Sequence, residues 1–411
     1  MNNAKECTYQ YFIPNISSII WKYYSNGNFG VCNDVASIPT DYTLSYFANK
    51  KSNGNTRMLS IIAKRNPNCK IQWRDVASSG NLDLIKWLHG NHVKWFRANR
   101  IMRCSTVVMD MAAIEGHLDV IKWLHANRNE GCTTKAMDSA SASGHLEIVQ
   151  WLHENRTEGC TTNAMDGASQ QGHLNVVKFL HANRTEGCTV DAMDLASARG
   201  HLDVVKFLHE NRTEGCTVYA MEWASSKGHL GVVQFLHENR DEGCTADAMD
   251  LASTEGHLDV VQFLHENRDE GCTTNAMDSA SACGHINVVK WLHENRDEGC
   301  TVYAMDRASE QGHFELVQWL HENRTEGCSA GAMDGASENG YLAVVQFLHE
   351  NRDEGCTTDA MDWASEQGHL EIVQWLYSHG YGCTTDALRY AEKYYHIDVI
   401  EWLKENVEIF M

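Results

Sequence analysis

The central part of the chain repeats three residue types that could bind a transition metal. The unit near residue 117 carries His117, His125 and Cys132, and equivalent residues recur along the chain. A zinc ion needs each ligand within about 2.0–2.3 Å. Eight residues on one helix rise about 12 Å, and equivalent histidines of neighbouring helices would lie about 8–10 Å apart. We therefore expect no metal and no cofactor, and we assign turn capping to His117 and packing or loop contacts to His125.

The same distance argument applies to the cysteines, which recur every 28 residues from Cys132 onward. Bridged cysteines have Cα atoms within about 7 Å of one another. The chain has 15 cysteines, an odd number that is spread out rather than clustered. This pattern predicts free thiols that are buried or half-buried.

Catalysis would need a constellation of residues that occurs once. Here Ser, His and Asp recur at the same place in each central unit, as expected of a shared framework. Single departures such as Cys283 are interpreted as variation at a tolerant position. We therefore expect the protein to have no enzymatic activity.

A basic segment interleaved with aromatic residues could track a phosphate backbone and stack bases. It lies in the interval from Gly80 to Gly116, which is eight residues longer than the regular period. Residues 1–110 carry 14 Lys and Arg against 6 Asp and Glu, whereas the whole chain has a formal charge of −21, so the remainder carries −29. That acidic remainder would repel a polyanion, so nucleic acid is not the expected partner. We expect an acidic protein surface, of this chain or another, to contact Lys94, Arg97, Arg100 and Arg103.

The elements that position these residues follow from a 28-residue repeat. Its marker is the pair Gly-His, at Gly116, Gly144, Gly172, Gly200, Gly228, Gly256, Gly284, Gly312 and Gly368, with Gly340-Tyr341 in the remaining place. In the unit 191–218, residues 191–199 predict a short first helix whose start resembles a capping box, with Asp194 favouring the helix N-terminus. Residues 202–209 are apolar around most of the circumference, which predicts a second helix that is mostly buried.

A helix hairpin of this size cannot bury its own apolar faces, so neighbouring hairpins must stack. The sequence therefore predicts an all-α fold, an α-solenoid of about thirteen stacked helix-turn-helix repeats that begins near residue 41. We divide it into an N-terminal capping segment 1–40, degenerate repeats with the basic insertion 41–104, regular repeats 105–384 and a C-terminal capping repeat 385–411.

The pattern Ala-Met-Asp-x-Ala-Ser-x-x-Gly-His-Leu-x-Val-Val resembles the ankyrin repeat over residues 41–411. The resemblance implies a non-catalytic scaffold that binds other proteins through an extended concave face. Ankyrin repeats usually span 33 residues and begin the first helix with Thr-Pro-Leu-His. Here the period is 28 and Ala192-Met193-Asp194 stands in that place. We expect the β-hairpin finger of ankyrins to be reduced or absent.

Comparing the repeats with one another locates a candidate binding face. Framework positions barely change, whereas variation falls on the pair before Gly-His and on the residue after the repeated acid. In proteins that this chain resembles, these positions lie on the concave side. Trp and Arg are enriched at interaction hot spots, although exposed positions can also vary without function. The candidate partner-binding residues are Arg199, Trp223, Lys227, Glu255, Arg307, Gln311, Trp363 and Gln367.

Charged columns carry a further expectation. The repeated acid and a repeated arginine, from Arg128 to Arg352, each recur at the 28-residue period. Like charges about 8–10 Å apart lie near the Debye length at physiological salt. We expect repulsion within the acidic column to destabilise the fold at low ionic strength.

The segment before the repeats is different in character. Residues 12–24 form a Pro-led amphipathic stretch that faintly resembles an F-box opening, and the alternative is a capping helix over the first repeat. The resemblance implies a second possible function, a substrate-recruiting adaptor of a ubiquitin ligase.

Localisation follows from what the sequence lacks. Residues 1–10 are polar, and no apolar stretch approaches the roughly 20 residues of a membrane span. We expect a monomeric cytoplasmic protein, with a nuclear location left open, that binds proteins and no membrane.

Overall fold

The computed structural model describes residues 73–95 and 105–407, with side chains for residues 73–90 and 105–407. These residues form 24 α-helices and no strand. The chain divides into two compact units between Cys132 and Thr133. In each unit the helices form pairs, a first helix and a second helix, as the sequence predicts for an α-solenoid. A glycine turn joins the two helices of each pair except the last, where Tyr395 takes the left-handed backbone conformation instead.

The helices before Cys132 are α1 Trp73–Ser78, α2 Leu82–Trp95, α3 Thr106–Ile114 and α4 Leu118–Asn127. Those after Thr133 are α5 Thr134–Ala142, α6 Leu146–Asn155, α7 Asn163–Gln170, α8 Leu174–Asn183, α9 Asp191–Ala198, α10 Leu202–Asn211, α11 Val218–Ser226, α12 Leu230–Asn239, α13 Asp247–Thr254, α14 Leu258–Asn267, α15 Thr274–Ala282, α16 Ile286–Asn295, α17 Tyr303–Glu310, α18 Phe314–Asn323, α19 Ala330–Glu338, α20 Leu342–Asn351, α21 Asp359–Gln367, α22 Leu370–Ser378, α23 Thr385–Tyr394 and α24 Ile397–Asn406.

The first helices form the core of the stack. Helix α9 buries Ala192, Met193, Asp194, Ala196 and Ser197, and most other first helices of the second unit bury the equivalent residues, although Asp278 and Asp306 are half-buried. Because most of these side chains are small, neighbouring backbones can approach closely. Within the second unit, first helices accordingly contact one another far more extensively than second helices do.

The second helices are only partly buried, so the prediction of a mostly buried second helix was wrong. Helix α10 buries Val204, Val205 and Leu208, whereas Asp203 and Lys206 are exposed. The physical reason is the helical period, which gathers the polar residues of this segment on one outer face. The buried stripe is therefore narrow.

The connector between repeats is a short loop without a strand in the described residues. In the unit 191–218 it begins at Arg212, whose backbone is extended, and turns at Gly215, where φ is +75°. A positive φ is strained for residues with a Cβ, which explains the glycine. The loop is the reduced form of the ankyrin finger that the shorter period predicts.

Several predictions concern parts of the chain outside the described residues. The capping and F-box-like segments of residues 1–40, the degenerate repeats up to residue 72, and Arg97, Arg100 and Arg103 all lie there. Lys94 lies within helix α2, but its side chain is outside the described part. These predictions stay untested. No helix among the described residues is long and apolar enough to cross a membrane.

Candidate functional site

The repeated acid bonds to the start of the following repeat. Asp194 accepts hydrogen bonds from the backbone N–H of Thr217 at 2.8 Å and from its hydroxyl at 2.6 Å. The Thr217 hydroxyl in turn accepts from the backbone N–H of Tyr219 and caps helix α11. The same arrangement recurs with Glu222 and Thr245, and with Asp306 and Ser329. Each acid therefore fixes the Thr or Ser that precedes the next first helix, and this residue is the N-cap of α11 and of α19.

This contact adds to the predicted role of Asp194 at the N-terminus of its own helix. Asp194 is buried in the first turn of α9, and its carboxylate accepts hydrogen bonds from the next repeat. Burial raises the pKa of Asp194 above its usual value, although both hydrogen bonds from Thr217 act to lower it. The acid column is thus a column of hydrogen-bonded groups rather than of free surface charges.

The arginine column is paired with glutamates of the same connector. Arg212 Nε donates to Glu214 Oε2 at 3.2 Å, and Nη2 donates to Oε1, so the contact is bidentate. This pair lies against the preceding connector, because a Cβ at Gly187 would come within 2.6 Å of Arg212 Nη2. The hydrogen bond from Arg212 lowers the pKa of Glu214 to about 2. Each pair therefore neutralises itself and holds one connector on the next.

The histidine of the Gly-His pair joins repeats in a similar way. His117 Nε2 donates to the carbonyl oxygen of Ser78 at 2.9 Å, at the end of helix α1. His396 does the same to Glu366 at 2.9 Å. The predicted capping role of His117 thus acts on the helix C-terminus of the preceding repeat, while its own helix receives no side-chain cap.

The glycine of that pair provides the space for the next histidine. Gly200 has a φ of +76°, and a Cβ built there would come within 2.7 Å of the His229 ring. Burial lowers the pKa of His229, whereas its hydrogen bond to the Ala198 carbonyl raises it. The Gly-His pair is therefore explained by stacking.

The histidine near the end of each second helix is a packing residue, as the sequence predicts for this position. The ring of His209 meets Phe235 of the next repeat edge-on, with centroids 5.5 Å apart. His293 also accepts a hydrogen bond from Arg324 Nη1 at 3.2 Å. Both contacts join neighbouring repeats.

The cysteines of the described residues are free thiols. Cys188 and most of its equivalents are buried and the rest are half-buried, as predicted, while Cys283 is exposed. Burial raises the pKa of Cys188 to about 12, so the thiol is a poor nucleophile at neutral pH. Within the described ranges, no three His, Cys, Asp or Glu side chains form a group that could hold a metal ion.

What remains is the exposed face of the first helices, here called the first-helix face. It consists of three positions per repeat, spaced four residues apart, such as Tyr219, Trp223 and Lys227. This spacing places them on one side of a helix. Seven of the eight predicted partner-binding residues are exposed there and Trp363 is half-buried, so the structure brings them onto one face within the second unit.

Several of these residues contact one another. Arg199 donates to Gln171 at 2.8 Å. Lys227 pairs with Glu255 at 3.2 Å across the repeat boundary. Both contacts involve exposed side chains, which a partner could displace at little cost.

Sequence comparison of the repeats missed two aromatic residues on this face. Tyr219 is 50% exposed and stacks on Trp223, with ring centroids 5.1 Å apart. Tyr303 is 58% exposed and begins helix α17. The four-residue spacing from Tyr219 to Trp223 and from Tyr303 to Arg307 is the signal that could have identified them.

Family models match the chain over this architecture. A model described as ankyrin repeats (many copies) matches residues 75–125, 109–153, 137–181 and 164–209. A model of ankyrin repeats (3 copies) matches residues 193–278 and 219–306. Together the matches span residues 75–306, more than half of the 411 residues. A search of curated proteins found no match.

Proposed function

The chain belongs to the ankyrin-repeat family, and from this premise we propose that it is a non-catalytic scaffold that binds a partner protein through the first-helix face. Ankyrin repeats generally mediate protein–protein interaction. The observation that carries the choice of face is the exposure of Tyr219, Trp223 and Tyr303 on it. Tyr219 and Trp223 stack on one helix and Tyr303 lies three repeats further on, and exposed large aromatic side chains are enriched at interaction surfaces.

The packing of the helices supports a concave shape for this face within the second unit. Successive first helices contact each other much more extensively than successive second helices. A stack whose members are closer on one side curves toward that side. The first-helix face would then wrap around an extended partner.

The framework contacts support the non-catalytic part of the proposal. The residue types that could act as acid, base or nucleophile are occupied in joining repeats, as for Asp194 with Thr217 and for His396 with the carbonyl of Glu366. The exposed face instead offers aromatic and charged side chains that suit recognition. We further propose that the protein acts as a monomer in the cytoplasm, which light scattering and cell fractionation would test.

The experiment compares capture of binding partners by the full chain and by a face variant. The variant combines Trp223→Ala, Arg307→Ala and Trp363→Ala. Its control combines Glu210→Ala, Glu315→Ala and Glu371→Ala, which change exposed residues of second helices.

We expect the face variant to lose partners that the control keeps, while both retain the helical circular-dichroism signal and melting temperature of the unmodified chain. Equal capture by all three proteins would overturn the proposal. Early melting of the face variant would show that these side chains belong to the core, and the assignment of the face would then be wrong.

A further inference from the structure

Three consecutive first helices of the first-helix face differ from their neighbours in their aromatic and charged residues. Besides the framework acids Asp306, Asp334 and Asp362, helices α17, α19 and α21 carry four acidic residues, Glu310, Glu338, Asp359 and Glu366, and one basic residue, Arg307. Arg307 is already paired with Glu310, three residues further along the same helix. We call the exposed sides of these three helices the acidic segment. Elsewhere on the face Lys227 and Glu255 form an ion pair across the repeat boundary.

Aromatic rings lie on the two outer helices of the acidic segment. Tyr303 on α17 is 58% exposed and has no ring contact among the described residues. Trp363 on α21 is half-buried, so part of its ring is open to solvent. Exposed rings attract cations through their π-electron faces.

The helix between these rings has glycines in place of side chains. A Cβ at Gly335 would lie 3.1 Å from Cβ and Cγ of Glu310, so the stem of Glu310 lies against α19. Beside Gly331, only the Ser329 hydroxyl oxygen lies within 4 Å of a Cβ position. Helix α19 therefore has no side chain at either glycine position, and a partner chain can approach its backbone there.

The carboxylates of the acidic segment are poorly compensated. Among the described residues, Glu338, Asp359 and Glu366 form no ion pair within 4 Å. Glu338 lies between Glu310 and Glu366, and its pKa is raised by burial and by the charges of both neighbours. Lys393 interacts electrostatically with Glu366, but its ammonium donates to the Tyr394 hydroxyl at 2.9 Å. A cation from a partner would relieve this repulsion.

We propose that the acidic segment binds an extended, basic stretch of a partner protein. Arginine side chains of that stretch pack against Tyr303 and Trp363 and pair with Glu338, Asp359 and Glu366. Two repeat spacings cover roughly 16–20 Å, which an extended chain spans in about six residues at about 3.3 Å each. The inference rests on the proposed function and adds the chemistry of the partner.

The test measures binding of a fluorescein-labelled peptide of four arginines alternating with threonine to the full chain, by fluorescence anisotropy. One variant combines Glu338→Gln and Glu366→Gln, and its control combines Glu315→Gln and Glu371→Gln. The two proteins have the same net charge, but the control changes exposed residues of second helices. We expect the first pair to weaken binding about tenfold and the control to change it less than about twofold.

A second pair of variants tests the shape of the acidic segment without changing its charge. Gly331→Leu places a bulky side chain on α19 without adding an aromatic ring or a charge. The control Asn163→Leu introduces the same side chain at the equivalent position of α7, several repeats away. We expect only Gly331→Leu to weaken binding of the peptide. Equal weakening by both members of either pair would show diffuse attraction and overturn the inference.

Two further outcomes would assign the segment differently. If reversing Arg97, Arg100 and Arg103 to Glu strengthens peptide binding, the occupant is the basic insertion of this same chain and the partner assignment is wrong. If the peptide does not bind but the Trp223, Arg307 and Trp363 variant still loses captured partners, this inference fails and the proposed function stands.

Discussion

Thr217 donates its backbone N–H and its hydroxyl to the carboxylate of Asp194, 23 residues earlier in the chain. One acidic side chain therefore fixes the N-cap of the next first helix. The contact occurs once per repeat from Asp138 to Asp362, with Glu222 as the one glutamate in the column. Stacking is thus specified by polar contacts as well as by apolar burial.

Removing the hydroxyl of Thr217 should destabilise the second unit. Thr217→Val removes a donor to Asp194 and the cap of helix α11. We expect the free energy of unfolding to fall by about 1–3 kcal/mol. Thr217→Ser is the matched control, because Ser329 makes the same contacts with Asp306. Urea denaturation followed by circular dichroism measures both, and an equal loss for Val and Ser would contradict the assigned role.

The absence of a side chain at Gly200 should be required for the His229 ring of the next repeat to pack there. Gly200→Ala adds a Cβ at a φ of +76° and within 2.7 Å of the His229 ring. Gly380→Ala has a similar φ of +85° but open space around the Cβ. The left-handed backbone alone costs about 1–2 kcal/mol. We expect Gly200→Ala to lower the melting temperature clearly more than Gly380→Ala, and similar shifts would show that the histidine contact contributes little.

The repeated acid Asp194 and the connector acid Glu214 should contribute to the stability of the fold over opposite pH ranges. The pKa of Glu214 is lowered to about 2 by Arg212, so its contribution to stability is present above the ordinary pKa and lost as pH falls toward 2. The pKa of Asp194 is raised by burial, so its contribution is present below the ordinary value and lost as pH rises through the folded pKa.

Two substitutions separate these effects in melting experiments at pH 6 and pH 3. The stability of the unmodified chain relative to Glu214→Gln should be largest at pH 6 and shrink at pH 3. Relative to Asp194→Asn it should be larger at pH 3 than at pH 6. Shifts of the same sign for both variants would contradict the two assigned environments.

The basic insertion should mediate a salt-sensitive contact with an acidic protein surface. Reversing Arg97, Arg100 and Arg103 to Glu should abolish that contact, because it depends on charge attraction. Binding to a structured acidic protein and to single-stranded RNA is measured for both chains in 50 and 200 mM salt. Loss of RNA binding alone would favour nucleic acid as the partner of this segment.

The repeat period predicted much of the fold, because Gly-His recurs every 28 residues and two helical patterns fill each interval. The partners of the framework residues were harder to predict. Asp194 lies in the first turn of its own helix, where its charge favours the helix N-terminus. Only the packed structure shows that its carboxylate accepts a hydrogen bond from Thr217 of the next repeat. Charge columns raised the expectation of repulsion, whereas each arginine is paired with a glutamate two residues away, as Arg212 is with Glu214.

The binding face was predicted only in part. Variation between repeats indicated Trp223 and Arg307, since variable positions stand out against a constant framework. It missed Tyr219 and Tyr303, which begin or nearly begin a helix and whose exposure depends on where that helix starts. Whether a side chain such as Trp363 is open or half-buried depends on the neighbouring repeat, which the pattern of one unit does not contain.

The central claim is that a partner protein lies on the first-helix face, and site-specific photocrosslinking tests it most directly. A benzophenone amino acid replaces Gln311 on that face in one chain and exposed Glu315 on the second helix of the same repeat in another. We predict that the first chain forms covalent adducts with its partner on irradiation and that the second does not. Adducts from position 315 with none from position 311 would contradict the account.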